Sequence, residues 1–247
     1  HQDRVLHEDP AQKSWWWALR YVLSTRTNVI LIIASALGYF YFTGIRTFAV
    51  VFLRARFGLG QSAASSLLVV IGLGSIVGVL LAGRLADRLI QKGHLPARVT
   101  VGAGAFLFAA LLFLPGLLVP AFAAAAALFF FASMGLGAAN PPLDAARLDI
   151  MHSRLWGRAE SIRTALRFTL EAIAPLLFGY VSTFFGGGGA TFAGRNTAQG
   201  GAGLDYTFLI MLVTLIAAGI IMLRARKPYP RDVATAIASE HESGSGT

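Results

Sequence analysis

The chain has no cysteine among its 247 residues, which excludes disulfides, thiol catalysis and any metal site built on thiolates. Charge is scarce as well: 13 % of residues are Asp, Glu, Lys or Arg, against about a quarter in an average soluble domain. Its five histidines, His1, His7, His94, His152 and His241, all fall outside the long apolar stretches. No Ser–His pair or His-based zinc site can be built within those stretches, and His7-Glu8 lacks the second His of a His-Glu-x-x-His helix. A Gly-x-x-x-x-Gly-Lys-Ser/Thr loop is missing, and Gly72-Leu73-Gly74 lacks the later spacing of a dinucleotide-binding turn. Enzymatic chemistry, metals and cofactors are therefore not expected.

What the chain does have is hydrophobicity: 55 % of its residues are apolar and the mean hydropathy is +0.64. Six stretches are long enough to cross about 30 Å of hydrocarbon, which takes about 20 apolar residues. They run Asn28–Phe52, Ser62–Leu85, Val99–Leu118, Val119–Asn140, Thr164–Phe185 and Tyr206–Leu223. The apolar run from Val99 to Asn140 is too long for one span, and Pro115, Gly116 and Pro120 divide it at a charge-free turn. Of 21 basic residues, all but Arg46, Arg54, Arg56 and Arg195 then fall on one side. Lys and Arg are retained on the cytoplasmic face during insertion, so both termini are expected there, in a bacterial plasma membrane. The net charge of +9 is thereby explained by topology. Its natural partner is anionic lipid and not nucleic acid.

The expected organisation is a polar linker at 1–13, an interfacial amphipathic helix at 14–26, a six-span domain at 27–226 and a polar cytoplasmic tail at 227–247. Trp15, Trp16, Trp17 and Tyr21 favour the headgroup layer; the alternative is that this segment simply extends the first span. Gly74 and Gly78 form a Gly-x-x-x-Gly pair, which in lipid lets helix backbones approach closely. Residues 141–163 read as an inner loop or helix rich in both charge signs, and a Gly-rich outer loop opens at Gly186–Gly189. Glu240–Thr247 reads as disordered. No cleavable signal peptide is visible in the mixed-charge opening residues, and a chain that begins on His is expected to be a fragment or a processed product.

Two charged residues within the spans carry the candidate chemistry. Asn28, Ser35, Tyr39, Thr43 and Arg46 are spaced 7, 4, 4 and 3 apart, which places them on one helix face. A polar stripe through a span suits a substrate cavity, and an ionised side chain at depth costs about 2.5–3.5 kcal/mol on insertion scales. Arg46 reads either as an anchor for an anionic group or as a side chain snorkelling to the outer headgroups. Glu171 reads either as a proton-coupling carboxylate, loaded and released as access alternates, or as the i, i+4 partner of Arg167. Pro175, four residues on, would free a backbone carbonyl nearby.

The strongest motif is Gly83-Arg84-Leu85-Ala86-Asp87-Arg88, followed by Lys92 and Gly93, at the inner end of the second span. It resembles the Gly-x-Leu-Ala-Asp-Arg-x-Gly-Arg-Arg loop of the major facilitator superfamily, which joins the second and third helices of each six-helix half. The departure comes after Arg88, where Ile90 stands in place of the family's next Gly. The alternative reading of the segment is an ordinary solvated charged loop. The resemblance implies an all-α polytopic membrane protein, six transmembrane helices forming the carboxy-terminal half of a transporter, with spans 1–3 and 4–6 as inverted repeats. It also implies that Gly83, Leu85, Asp87 and Arg88 act as a conformational latch. The stretch from Asn140 through Arg158-Ala159-Glu160 to Leu170-Glu171-Ala172-Ile173-Ala174-Pro175 and Gly179 further resembles the Spinster lipid transporters, with Leu170-Glu171 where those have Gly-Asp.

The function expected on this reading is alternating-access transport of an amphipathic small molecule, drug- or lipid-like, as proton-coupled efflux. Aromatic and small residues such as Tyr39, Tyr41 and Phe129–Phe131 suit a hydrophobic substrate better than a sugar. The alternatives are an organic-anion permease built on Arg46 and a non-transporting membrane scaffold or receptor. Six helices leave a central cavity open on one side, so a missing amino-terminal half or a second copy is the expected partner.

Overall fold

The computed structural model describes residues 13–186 and 197–244. Within them the chain is a bundle of α-helices: α1 (Trp15–Ser24), α2 (Arg26–Phe57), α3 (Gln61–Gln91), α4 (Ala97–Leu118), α5 (Phe122–Asp149), α6 (Trp156–Phe185), α7 (Thr197–Arg224) and α8 (Tyr229–Gly244). Among the described residues, six helices are long and apolar enough to cross a membrane, in α2 to α7. The expected linker residues 1–12, most of the Gly-rich outer segment with Arg195, and the last three residues lie outside the described part.

The helices run past the apolar stretches that predict them. α2 continues to Phe57, where Gly58 takes the left-handed conformation that ends it. α5 passes through Asn140, Pro141 and Pro142 to Asp149, although the two prolines leave the carbonyls of Gly137 and Ala138 without their helical donors. Burial of Pro142, Leu143 and Ala146 holds the helix where propensity alone would stop it. The segment 141–163 is thus mostly helical, broken only by a tight connection with one 3-10 turn, Ser153–Leu155. The carboxy-terminal tail is folded as far as Gly244, where α8 ends, which corrects the expectation of disorder for residues 240–244. It is held by contacts that no local pattern announces. The Tyr229 hydroxyl donates to Asp149, the Thr27 amide donates to Asp232 at 3.3 Å and the Ser153 amide donates to Glu240 at 3.1 Å.

The packing has a two-fold pattern. α2 packs on α6 and α7, and α5 packs in the corresponding way on α3 and α4; α4 meets α7 across the middle. Exchanging the first three spans for the last three maps these contacts onto one another. Since successive spans alternate in direction, span 1 and span 4 run oppositely, and the two triplets are inverted repeats. Backbone approach is closest where α3 crosses α5. A Cβ on Gly78 would lie 1.9 Å from the Met134 carbonyl oxygen, and one on Gly137 would lie 2.1 Å from that of Ser75.

α3 and α6, which occupy equivalent places in the two repeats, expose much of their surface, including Leu73, Ile76 and Leu80 on α3 and Leu176, Tyr180 and Phe184 on α6. Helices apolar on nearly every face belong in a membrane or against another apolar body. The ends of α3 give a direct check of topology. Its 31 residues extend about 45 Å, enough to clear both headgroup layers. Cysteines introduced at Gln61 and Gln91, in a chain with no native cysteine, are expected to react with an impermeant maleimide from opposite sides. Labelling of both from one side would overturn the six-span arrangement.

Candidate substrate cavity and charge pair

The site is built on α2, which packs between α6 and α7. Tyr41, Phe52, Phe113, Phe178 and Phe208, drawn from α2, α4, α6 and α7, pack ring against ring, with centroids 5.5 Å apart for Tyr41–Phe113 and 5.2 Å for Phe52–Phe208. Edge-to-face contacts of this kind add to the packing of a core. Gly44 makes room for the fully buried Phe178, whose ring would otherwise lie 2.2 Å from a Cβ. This aromatic wall backs a cavity of about 330 Å³ that is lined further by Phe42, Ile45, Arg46, Ile71, Ser75, Phe129 and Ser133.

The chemistry of that cavity is strongly apolar. Its two serine hydroxyls already donate within the protein, Ser75 to the Gly72 carbonyl at 2.7 Å and Ser133 to the carbonyls of Ile71 and Phe130. The Tyr41 hydroxyl is buried without a hydrogen-bond partner among the described residues. Arg46, exposed at the rim, stands 5.8 Å from the Phe42 ring centroid and makes no ion pair or hydrogen bond among the described residues. It is the one cation lining the cavity among the described residues.

The predicted polar stripe is divided by the fold. Asn28 is 3 % exposed and donates through Nδ2 to the Val22 carbonyl at 3.0 Å, tying α1 to α2. Ser35 is fully buried with its hydroxyl unpartnered. Thr43 is half-buried and, like Asn28 and Ser35, lines neither this cavity nor a smaller one of about 90 Å³ beside it. Tyr39 lines that smaller cavity with Asn140 and Ser75. Of the five residues, Tyr39 and Arg46 face open space in the two cavities.

Glu171 sits at the middle of α6 and pairs with Arg167, Nε to Oε1 at 2.9 Å. The Arg167 guanidinium is also stacked over the rings of Tyr39 at 4.3 Å and Phe168 at 5.0 Å. The pair therefore bridges α6 to Tyr39, the middle of the stripe. The i, i+4 partnership and the mid-helix position hold together, because α6 begins eight residues before the apolar run that predicts it.

A second group of charges was not legible as a site. Arg147 and Arg163, only 8 % and 6 % exposed, both reach Glu160, at 2.8 Å from Arg147 Nη1 and 3.1 Å from Arg163 Nε. Asp144 completes the cluster through Arg147. It joins the carboxy-terminal end of α5 to the amino-terminal end of α6, helices whose backbones otherwise hardly meet. The i, i+3 spacing of Asp144 with Arg147 and of Glu160 with Arg163 was the available signal. Nearby, Asp149 accepts from Arg98 and from Tyr229. Burial, and then the hydrogen bond to Asp149, hold the Tyr229 phenol above its ordinary range. At the opposite end of the bundle, Arg56 pairs with Asp205 at 2.9 Å.

Asp87 and Arg88 are both exposed near the carboxy-terminal end of α3, whose buried face there is Ala82 and Ala86. Asp87 makes no ion pair or hydrogen bond among the described residues. Gly83 is half-buried and Leu85 exposed.

The family model described as Major Facilitator Superfamily matches residues 18–243. Among solved structures, the chain is similar to a bacterial homologue of the human lysosomal transporter Spinster. In its inward-facing, unoccupied conformation the TM-score is 0.72 at 19 % identity, covering 91 % of this chain and 53 % of that one. In its inward-facing, occupied conformation the TM-score is 0.69 at 18 % identity, covering 83 % and 50 %. The chain thus spans about half the length of those proteins. No curated protein matches it.

Proposed function

The chain belongs to the major facilitator superfamily, and on that premise we propose that it is one half of a secondary transporter moving an amphipathic small molecule by alternating access. The aromatic cavity, with a single cation that is unpaired among the described residues, carries this reading. Its walls are rings and aliphatic chains, and its serine protons are already engaged, so a sugar would find few partners there and would leave its hydroxyls unsatisfied. A drug- or lipid-like molecule with one polar end meets the geometry: the apolar part against Phe42 and Phe129, the head beside Arg46. Substrates of this kind are assigned to efflux from the cytoplasm, with Glu171 as the carboxyl that couples transport to protons. The basic face is placed in the cytoplasm of a bacterial plasma membrane, because Lys and Arg are retained there.

A second half, supplied by further chain or by a second copy, closes the open side of the cavity. Asp87 is assigned as a latch on the same ground: no partner for it exists within this half among the described residues, and a carboxylate at an inner helix end can accept from a facing helix N-terminus.

Arg46 separates the two substrate readings. Arg46→Gln is expected to lower kcat/KM for an anionic amphiphile about tenfold or more, the scale of a lost charge-assisted hydrogen bond. Arg46→Lys should recover part of it, and a neutral amphiphile of the same tail should be spared. Equal loss for anionic substrates with and without an apolar tail favours the organic-anion permease. Unchanged transport of every substrate would remove this cavity from the pathway, and absence of any transport by the intact protein would favour a scaffold or receptor.

A further inference from the structure

Outside the candidate cavity, a second apolar hollow of about 390 Å³ lies between α3, α4 and α5. Its floor is made of small residues, Gly78, Ala82 and Gly104, and its walls include Leu81, Leu85 and Phe108, which are 52 %, 51 % and 40 % exposed. Its one hydroxyl, on Thr100, donates to the Pro96 carbonyl at 3.0 Å, and no carboxylate lines it. Gly104 is the informative member. A glycine inside a helix costs about 1 kcal/mol relative to alanine, and most spanning-helix glycines here are explained by a backbone or ring pressed against them. Gly104 has nothing within 4 Å of where a Cβ would be. What it provides is space.

The groove ends at a basic surface. Leu81, Leu85, Arg88 and Lys92 are spaced 4, 3 and 4 apart, one stripe of α3 that turns from apolar wall to cation. Arg88 and Lys92 are exposed, and their side chains make no ion pair or hydrogen bond among the described residues. From Gly78 to Arg88 the helix rises about 15 Å, half of the ~30 Å hydrocarbon core and so the depth of one leaflet. Asp87 lies on the other flank of α3 with Leu73, Ile76 and Leu80, about 200° around the helix from Leu85. The groove thus lies on a different face of α3 from Asp87, while Leu85 of the same motif lines it and Arg88 follows on the same stripe.

We propose that this groove binds one acyl chain of an anionic phospholipid, with Arg88 and Lys92 holding its phosphate at the basic end. The proposal rests on the membrane reading above and is independent of the transported substrate. Shape places the chain, because the hollow is lined on α3 from Gly78 to Leu85 and the same stripe runs on to the cations, the whole about one leaflet deep. Charge selects the head, because two free cations near the surface meet the negative potential of an anionic leaflet.

Native mass spectrometry of the detergent-solubilised protein, titrated with phosphatidylglycerol and with phosphatidylcholine, tests it. One saturable phosphatidylglycerol is expected to bind ahead of phosphatidylcholine. Gly104→Leu points a side chain into the groove and should weaken that first lipid about fivefold for either headgroup, the equivalent of some ten carbon–carbon dispersion contacts. Gly104→Ala controls for folding. Arg88→Gln with Lys92→Gln should remove the preference for phosphatidylglycerol, about fivefold per cation, while leaving phosphatidylcholine binding as it was. The absence of a saturable first lipid, or one indifferent to both Gly104→Leu and the double substitution, overturns the proposal. So does a doubled mass that Gly104→Leu abolishes, which would put a second copy in the groove.

Discussion

Gly78→Leu is expected to prevent the protein from folding as a stable, monodisperse species in detergent. The added side chain would begin 1.9 Å from the Met134 carbonyl oxygen and 3.0 Å from the Ala138 amide nitrogen, so α3 and α5 must separate before it fits. Both contacted groups are backbone, and no rotamer change relieves them. Between helices in lipid the water-driven term is absent, and close packing is what holds the pair together. Overpacking typically costs 1–3 kcal/mol where side chains can yield; about 3 kcal/mol or more is expected where they cannot, a large part of a total stability of about 5–15 kcal/mol. Gly137→Leu, on the other side of the same crossing, should do the same. The double variant should cost less than the sum, because the helices need part only once. Gly104→Leu is the matched control, since that position stands in open space. Thermal melting followed by size exclusion reads all four. A Gly78→Leu protein that melts like the parent would show that α3 and α5 are not in close contact.

The contrast between Gly78 and Gly104 also shows where sequence reading stops. Both are glycines in apolar runs with similar neighbours, and only the fold distinguishes a crossing from a groove. The spans themselves were legible because a membrane demands about 20 apolar residues in a row, a signal that needs no tertiary context. Their extensions were not, because polar helical turns such as Asn140–Asp149 and Trp156–Arg163 are held by Arg147, Glu160 and Arg163 meeting across two helices. α8 was missed for the same reason: its capping groups serve α2 and the 3-10 turn, each far away in sequence. The polar stripe was legible as a stripe, but periodicity cannot say how far along a helix one face changes neighbours. Asn28 and Ser35 therefore end in packing, and Tyr39 and Arg46 in cavities.

The same limit applies to Glu171, whose i, i+4 pairing with Arg167 was readable and whose surroundings were not. Glu171→Gln fixes the side chain in its neutral form, so substrate binding and exchange should persist while pH-driven accumulation is lost. The substitution also leaves Arg167 without its partner. Breaking a buried pair costs about 3–5 kcal/mol, but the side chains here keep 16 % and 18 % exposure, which lowers the expected loss of stability to about 1–3 kcal/mol. Stability and coupling must therefore be read separately. Arg167→Gln with Glu171→Gln removes both charges and should restore much of the melting temperature without restoring pH-driven accumulation. Exchanging the two residues, Arg167→Glu with Glu171→Arg, keeps the pair but takes the guanidinium off the Tyr39 and Phe168 rings. It should regain the ion pair's share of stability and not the stacking. If the doubly neutral protein accumulates substrate with the parent's pH dependence, Glu171 serves structure alone. The coupled proton must then be carried by another group, either one outside this half or one of its other carboxylates, of which Asp144, Glu160 and Asp205 are each held in an ion pair.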